Sequence, residues 1–506
     1  MARSAQPRGS LGGRAVVLGL KLAVALFVLS TPVLGVWTAS SLSAYAGKSQ
    51  WLPIAGGLLA FPLAPLGWDA FSEYRRKRKG DARPRILTFG DRLLVRTFLV
   101  NFVWLLGLLL LRPSTAFAAL STRGDWMLDG RHGPLSERAR GALFSLAGRL
   151  EWLHSLSHEN PYAKLVDDSG ARASEDVKPA PRPEPTPAPV ATTPAPTASG
   201  SAAPPAPAAA TEARTTWPLP AELHPLVREI PSADESSFES VAKFIGSREP
   251  DPARRIKALH DYVADRVAYD AVALAEQSIP PQDAARVFGS KKAVCAGYAN
   301  LLRAMAKITG DEVVVVVGDA RTDVDAVGGG GHAWNAVKLD GRWHLVDATW
   351  DAGTVSGREF EKRYTTNYFL TPPEVFGVDH FPEDPRFQLR DPPLSRGDFM
   401  RQPMLRAPFY VHGFRLERPD RSQVSVGASF DAELDNPRGV FVLASFAPKG
   451  APRGAPGEHC NVSAGPKIGV HCPLPADGVF RVLLFAGRER FGTYSHIGTF
   501  EAVSQR

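Results

Sequence analysis

Cysteine is scarce in this chain: there are three among 506 residues, and none has a partner at CxxC spacing. That scarcity excludes a disulfide scaffold and a structural zinc site, since both need clustered thiols. Acidic residues are nearly missing from the long apolar runs of the first 120 positions. Any helix-turn-helix, zinc-knuckle or aromatic ribonucleoprotein pattern is also lacking, so the net charge of +7 does not mark a nucleic-acid binder. The acidic tract "GDARTDVDAVGGGG" holds Asp319, Asp323 and Asp325 but not the length or closing glutamate of a calcium loop. No metal, cofactor or nucleic-acid partner is expected.

The apolar residues are concentrated near the N-terminus. Three stretches, about Ala15 to Trp37, Trp51 to Phe71 and about Leu93 to Leu111, each approach the roughly 20 helical residues needed to cross a bilayer. Lys21 near the start of the first is placed to snorkel, and Arg96 and Arg112 bracket the third. Arg3, Arg8 and Arg14 precede the first stretch and a basic cluster from Arg75 to Arg85 joins the second to the third, while Lys48 alone separates the first two. The positive-inside rule then puts the N-terminus in the cytoplasm and everything after the third stretch outside. A cleaved signal peptide ending near "SLSAYA" leaves the same part of the chain outside. The Ala/Arg/Pro-rich composition reads as bacterial, which makes this an inner-membrane protein with a periplasmic C-terminal part.

Residues 1–120 are thus expected to be a membrane anchor. Residues 121–177 contain a helical apolar stripe (Leu143, Leu146, Leu150, Leu153), best read as packing on the membrane surface or on the spans. Residues 178–216 form a Pro/Ala-rich linker with a reach on the order of 100 Å when extended, so the domain beyond it is expected to work away from the membrane. Residues 217–395 read as an α+β domain, helices first and then strands "EVVVVVGD", "HAWNAVKL" and "RWHLVDATW". Residues 402–504 show short alternating strands between Gly/Pro turns, the pattern of a small β-sandwich. Cys460 and Cys472 lie in this last part and enclose a short loop; outside the cytoplasm a disulfide is the expected state, worth roughly 2–3 kcal/mol.

Cys295 stands alone, just ahead of a helix whose face carries Tyr298, Leu301, Leu302, Met305 and Ile308 and which Gly310 is suited to end. The amides of a first helical turn face negative charge on sulfur or on an oxyanion. Downstream, Asp340-Gly341 is a two-residue hairpin signal. If the turn is tight, Trp334 lies opposite Asp347 and His332 opposite Thr349, which leaves His332 and Asp347 as diagonal neighbours on one face, roughly 7–8 Å apart at the backbone. Asp347 can then orient the His332 ring, whose other nitrogen takes the thiol proton. Asp351 is the rival acid, for which turn or capping duty is expected. Trp334, Tyr298 and Gly331 are the candidate cleft residues, Gly331 because a glycine run lets backbone approach a substrate closely.

At "AVCAGYANLL", "GHAWNAVKLDGRWHLVDATWD" and "NYFLTPPEVFGVDHFPEDPRFQL" the chain resembles the transglutaminase-like superfamily, in its kyphoscoliosis-peptidase-like branch. The upstream "RRIKALHDYVADRVAYD" resembles the helix leading into that core, and "FRVLLFAGRERFGTYSHIGTFEA" the β-domain that accompanies it. The resemblance covers roughly 235–390 and implies a papain-like core with Cys295 as nucleophile, His332 as base and Asp347 as orienting acid. It further implies a peptidase or protein-glutamine transferase acting through a Cys thioester on a protein or peptide of the cell envelope. The alternative is a non-catalytic envelope-binding or scaffold module using the same cleft. A buried thiol, or one turned away from His332 by more than about 6 Å, favours that alternative.

Overall fold

The N-terminal apolar runs fold as long helices: α1 (Leu11–Tyr45), α2 (Trp51–Arg78) and α3 (Phe89–Leu111). They are seen in a computed structural model that describes residues 11–49, 51–80, 86–131, 133–155, 159–166, 217–324, 328–452 and 457–506. Arg3, Arg8, Arg83, Arg85, Leu156, Asp325 and the linker 178–216 lie outside the described residues, as do the side chains of Arg14, Lys21 and Leu153. Each helix is long and apolar enough to cross a membrane, over Leu22–Tyr45, Trp51–Arg78 and Phe89–Leu111. Helix α1 contains the whole of the expected stretch Ala15 to Trp37. Its hydroxyl residues return their protons to carbonyls four positions back, Thr38 to Leu34 at 2.8 Å and Ser40 to Val36 at 2.7 Å, so they leave the helix intact. Arg96 in α3 is not a stray charge: it pairs with Asp69 of α2, as does Arg92 at 2.9 Å. Helix α4 (Pro134–Gly148) follows, and Leu143 with Leu150 packs against Trp37, Leu120 and Ala147, so the stripe lies on the spans.

Residues 160–322 and 329–394 form one compact unit. Its longest helices are α5 (Phe238–Arg248), α6 (Pro252–Arg266) and α7 (Cys295–Thr309). Ser237 and Asp251 cap the first two by accepting the Ser240 and Arg254 amides at 3.1 and 2.8 Å. The strands β1 (Val313–Ala320), β2 (Gly330–Leu339), β3 (Arg342–Val346), β4 (Phe369–Thr371) and β5 (His380–Pro382) make one antiparallel sheet in the order β4-β3-β2-β1-β5. The unbroken valine run of β1 needs cover on both faces. Val313 packs into the core around α7, whereas Val314 and Val316 pack with Trp343, Phe376 and Phe387. Leu301, Leu302 and Met305 of α7 are fully buried, worth roughly 1.5–3 kcal/mol each. Asp340 and Gly341 both adopt positive φ, +50° and +75°, as a two-residue primed turn demands, and Leu339 faces Arg342. The ladder stops at Asn335 opposite Val346. The expected strand through Trp350 is instead a short helix, Ala348–Ala352, because Asp347 caps it.

The remaining described residues form the second unit, which carries the C-terminal strands β6 (Arg415–Arg418), β7 (Ser429–Asp435), β8 (Phe441–Pro448), β9 (Lys467–Pro473), β10 (Gly478–Gly487) and β11 (Ser495–Ser504). One sheet runs β6-β7-β9 and the other β11-β10-β8, each with shorter edge strands, and their inner faces share one core that includes Phe430, Phe446, Val470, Phe480 and Phe500. This is a β-sandwich. Cys460 is joined to Cys472 by a disulfide. The sandwich does not stand away from the helices that precede the linker. Asp125, completely buried, accepts from Arg421 at 2.9 Å and from Arg140 of α4 at 2.7 Å, and the Arg401 guanidinium lies 3.8 Å over the Phe144 ring. A buried ion pair needs both members, so the expectation of a domain working at a distance fails for the sandwich. Asp125→Ala in the full chain strands Arg421 and Arg140, at a cost of roughly 3–5 kcal/mol. Thermal unfolding in detergent, compared with an exposed Asp477→Ala control, is expected to show a fall confined to the first variant.

Candidate active site

Cys295 is the first residue of α7 because Val294 ends the preceding extended stretch as its N-cap. The Val294 amide donates to Gln282 Oε1 at 3.0 Å, and Gln282 Nε2 donates to the Pro280 carbonyl at 2.8 Å, which fixes where the helix begins. The thiol is then carried at a helix N-terminus, where backbone N–H groups face developing negative charge. His332 is on β2, two residues past the glycine run. Its Nε2 is 2.7 Å from Asp347 Oδ2, which leaves Nδ1 as the nitrogen for the thiol, and Cys295 is near enough to raise the ring's pKa. The sequence-predicted residues Cys295, His332 and Asp347 therefore stand in line.

Asp347 has further partners. Its Oδ1 accepts from the amides of Thr349 at 2.8 Å and Trp350 at 3.3 Å, and its Oδ2 also meets His380 Nε2 at 3.2 Å. Beyond it, His380 Nδ1 contacts Asp379 at 2.7 Å, and Tyr368 donates its hydroxyl to Asp379 at 2.6 Å. The His332 ring lies between Trp334 and Trp350, with centroids 5.9 and 5.6 Å away. These indoles keep water from the His332–Asp347 pair, whose members are 6% and 1% exposed.

Burial pulls the His332 imidazolium down, but the Asp347 carboxylate and Cys295 outweigh it and raise the ring to about 9. Burial likewise pushes Asp347 up, yet the two imidazoles hold it well below the usual carboxylate range. His380 follows His332: burial lowers it, Asp379 and Asp347 raise it, and it too reaches about 9. His332, Asp347 and His380 bring ligand atoms within 4.8 Å of one another. Asp347 stands between the two imidazoles, 2.7 Å from His332 and 3.2 Å from His380, as a hydrogen-bonded charge network requires.

The other candidates fall elsewhere. Tyr298 is in the core, its hydroxyl donating to the Val267 carbonyl at 2.8 Å, so it does not line a cleft. Trp334 is 1% exposed and backs His332 from the core under the sheet. Gly331 does lie against another piece of chain: a Cβ there would stand 2.7 Å from Asn160 Oδ1. Asp351 is neither cap nor turn residue. It is completely buried and accepts from Thr365 at 2.6 Å and from the Tyr368 amide at 3.1 Å, with His260 3.3 Å away. Sequence reasoning missed Gln282, Trp350, Tyr368, Asp379 and His380. Of these, only the adjacent pair Asp379-His380 offered a signal, and β5 reaches the site through its pairing with β1, which no local spacing reveals.

Residues 239–348 match the model of the transglutaminase-like superfamily. Together with the α+β core, this defines a transglutaminase-like domain. Kyphoscoliosis peptidase of Mus musculus is 36% identical over 180 residues, 34% of this chain and 27% of that protein. The Homo sapiens protein of the same name is 35% identical over 180 residues, with the same shares. The Lim and transglutaminase domain protein of Caenorhabditis elegans is 31% identical over 130 residues, 22% of this chain and 18% of that one. A solved structure titled "Crystal structure of a TGase" aligns over 26% of this chain and 35% of that chain, at 23% identity and a TM-score of 0.20, too low to speak to the fold. Over residues 239–348 the chain carries a domain of the transglutaminase-like superfamily, and over 180 residues it is similar to the kyphoscoliosis peptidases. It spans about a quarter of the length of the mouse and human relatives, at 27% of each.

Removing the central carboxylate gives a signed prediction. The raised His332 pKa contributes stability that is complete below about 6.5 and lost as pH rises through about 9; the depressed Asp347 pKa contributes above about 3.9 and is lost as pH falls further. Asp347→Ala therefore costs most between about pH 4 and 6.5, roughly 3–5 kcal/mol, and less above pH 9. Denaturant unfolding of both proteins at pH 6 and pH 9.5 reads the difference, and an equal loss at both pH values would contradict it.

Proposed function

We propose that this chain is a membrane-anchored, transglutaminase-like cysteine enzyme acting on protein or peptide amides. The observation that carries the reading is the line of Cys295, His332 and Asp347 in a transglutaminase-like domain. In the first half-reaction the Cys295 sulfur attacks the carbonyl carbon of a carboxamide or peptide bond. The C–N bond breaks, the nitrogen leaves as ammonia or an amine with the proton held by His332, and a thioester remains. Water or a second amine then attacks the thioester, giving an acid or a new amide and returning the proton to the thiol–imidazole pair. Asp347 keeps the ring in register throughout.

The three long apolar helices support a membrane anchor, and the basic residues Arg75, Arg76, Lys77, Arg78 and Lys79 between the second and third support a cytoplasmic N-terminus. On that reading the catalytic domain faces the periplasm of a bacterial inner membrane, and its substrates are proteins or peptides of the cell envelope. The disulfide in the sandwich favours the same side.

One observation favours a binding or scaffold role instead: Cys295 is only 1% exposed. The cover, however, includes a segment from outside the matched domain, Tyr162 with Leu165 and Val166, and the His332–Asp347 pair is intact beneath it. The full chain, incubated with a glutamine-bearing casein and a fluorescent primary amine, is expected to release ammonia or new amino termini, with amine incorporation if transfer dominates. Cys295→Ala should abolish every signal. Equal signals from wild type and variant would leave the scaffold reading.

A further inference from the structure

The thiol is covered by residues that precede the linker. Segment Asn160–Val166 lies against the interior strands β1 and β2 and over the start of α7, although in sequence it stands well before residue 217, where the described catalytic domain resumes. Its contacts form a consistent set. Asn160 donates its carboxamide to the Gly318 carbonyl at 2.6 Å, and its Oδ1 accepts the Tyr162 amide at 2.9 Å, closing a short turn over Pro161–Lys164. Gly318 is the β1 residue paired with His332, so the segment is anchored on the rung that carries the base. Pro161 and Asn160 occupy the space that a side chain at Gly331 would fill, at 2.8 and 2.7 Å from such a Cβ. Tyr162, 5% exposed, packs with Val294, Cys295, Ala296 and Ala333, with Tyr269 against the same cluster. The Leu165 carbonyl accepts from Asn300 of α7 at 2.9 Å. Pro161, Ala163 and Lys164 are exposed, so one aromatic anchor and two polar ties hold the segment down.

We propose that the surface around Cys295, Ala333 and Gly331 is a groove for an extended peptide bearing an aromatic side chain, and that its resident occupant is this chain's own segment Asn160–Val166. The proposal rests on the reading of Cys295 as a nucleophile for the statement that the covered groove is catalytic. The consequences are specific. The Tyr162 phenol stands where an acyl donor must approach the sulfur, so the site is closed while the segment is seated. A substrate must displace it, and the residue types it presents (a polar carboxamide on the Gly318 rung, an aromatic ring at the thiol, an aliphatic side chain three or four positions on) describe what competes. The lack of a side chain at Gly331 admits the peptide backbone at that rung.

Alkylation of Cys295 by iodoacetamide in the full chain reads occupancy directly, since Cys460 and Cys472 are bonded to each other and Cys295 is the free thiol. Tyr162→Ala is expected to speed labelling by about tenfold or more, as for release of a single buried anchor, whereas Tyr162→Phe, which keeps the ring, stays near the wild-type rate. A synthetic peptide of residues 159–166 added to Tyr162→Ala should slow labelling again, and a scrambled peptide should not. Equal labelling of wild type and Tyr162→Ala overturns the proposal. So does acceleration that neither Tyr162→Phe prevents nor the peptide reverses, because that is the mark of general loosening. Labelling measures access and not turnover, which separates the two readings. Rapid, peptide-sensitive labelling with no amide chemistry sinks the catalytic reading alone, and turnover from a wild type whose thiol is already open sinks the groove's resident occupant alone.

Discussion

One carboxylate, Asp347, decides the local fold and the local chemistry together. By accepting the Thr349 and Trp350 amides it ends β3 and begins a helix. By meeting His332 and His380 with its other oxygen it keeps two imidazoles charged in a place that burial alone would leave neutral. An isolated buried charge costs several kcal/mol, so the network persists only because each member supplies what its neighbour lacks. The outermost groups, Asp379 and Tyr368, are what let His380 hold its proton. A thiol at the N-terminus of α7 is then presented to a ring whose position and charge are already fixed.

The same device appears a short way behind the site. His260 of α6 lies between Asp261 at 3.0 Å and Asp351 at 3.3 Å, and Lys257 and Tyr364 complete that cluster by pairing with Asp261. It ties α6 to the short helix that Asp347 caps. The strands that carry His332 and the helix that carries Cys295 are therefore braced by two buried polar clusters as well as by the apolar core. Buried polar contacts of this kind hold neighbouring elements in register, which suits a site that must keep a nucleophile and base together.

Much of this was legible in the sequence. The valine run, the Asp340-Gly341 turn and the apolar face of α7 each name one element, because period and turn chemistry are local. His332 and Asp347 could be brought together from the hairpin register, although by an argument that kept β3 running to Trp350. The pair forms anyway, since Asp347 follows directly on the last ladder residue, Val346. What was not legible depends on contacts distant in sequence. His380 enters through β5 beside β1, Asp351 is claimed by His260, and Asp125 holds Arg421 across 296 residues of sequence. Tyr298 and Trp334 were drawn toward the cleft by their proximity to Cys295 and His332, but both face the core.

Two features of the chain ahead of the matched domain follow the same physics. The helices after the third apolar run grip the sandwich through a buried aspartate, and the segment before the Pro/Ala-rich stretch grips the thiol through a buried tyrosine. Each grip centres on a buried polar or aromatic side chain supported by further ties, Arg140 and Arg401 around the first and Asn160 and Asn300 around the second. What everything else presupposes is that Asp347 holds His332 as an imidazolium beside Cys295. Nuclear magnetic resonance titration of the ring nitrogens in histidine-labelled full chain, with His332→Gln for assignment, measures that directly. A His332 resonance that titrates near 9 in the wild type and falls toward 6.5 in Asp347→Asn is the result the account predicts. A ring that titrates near 6.5 in both proteins would contradict it.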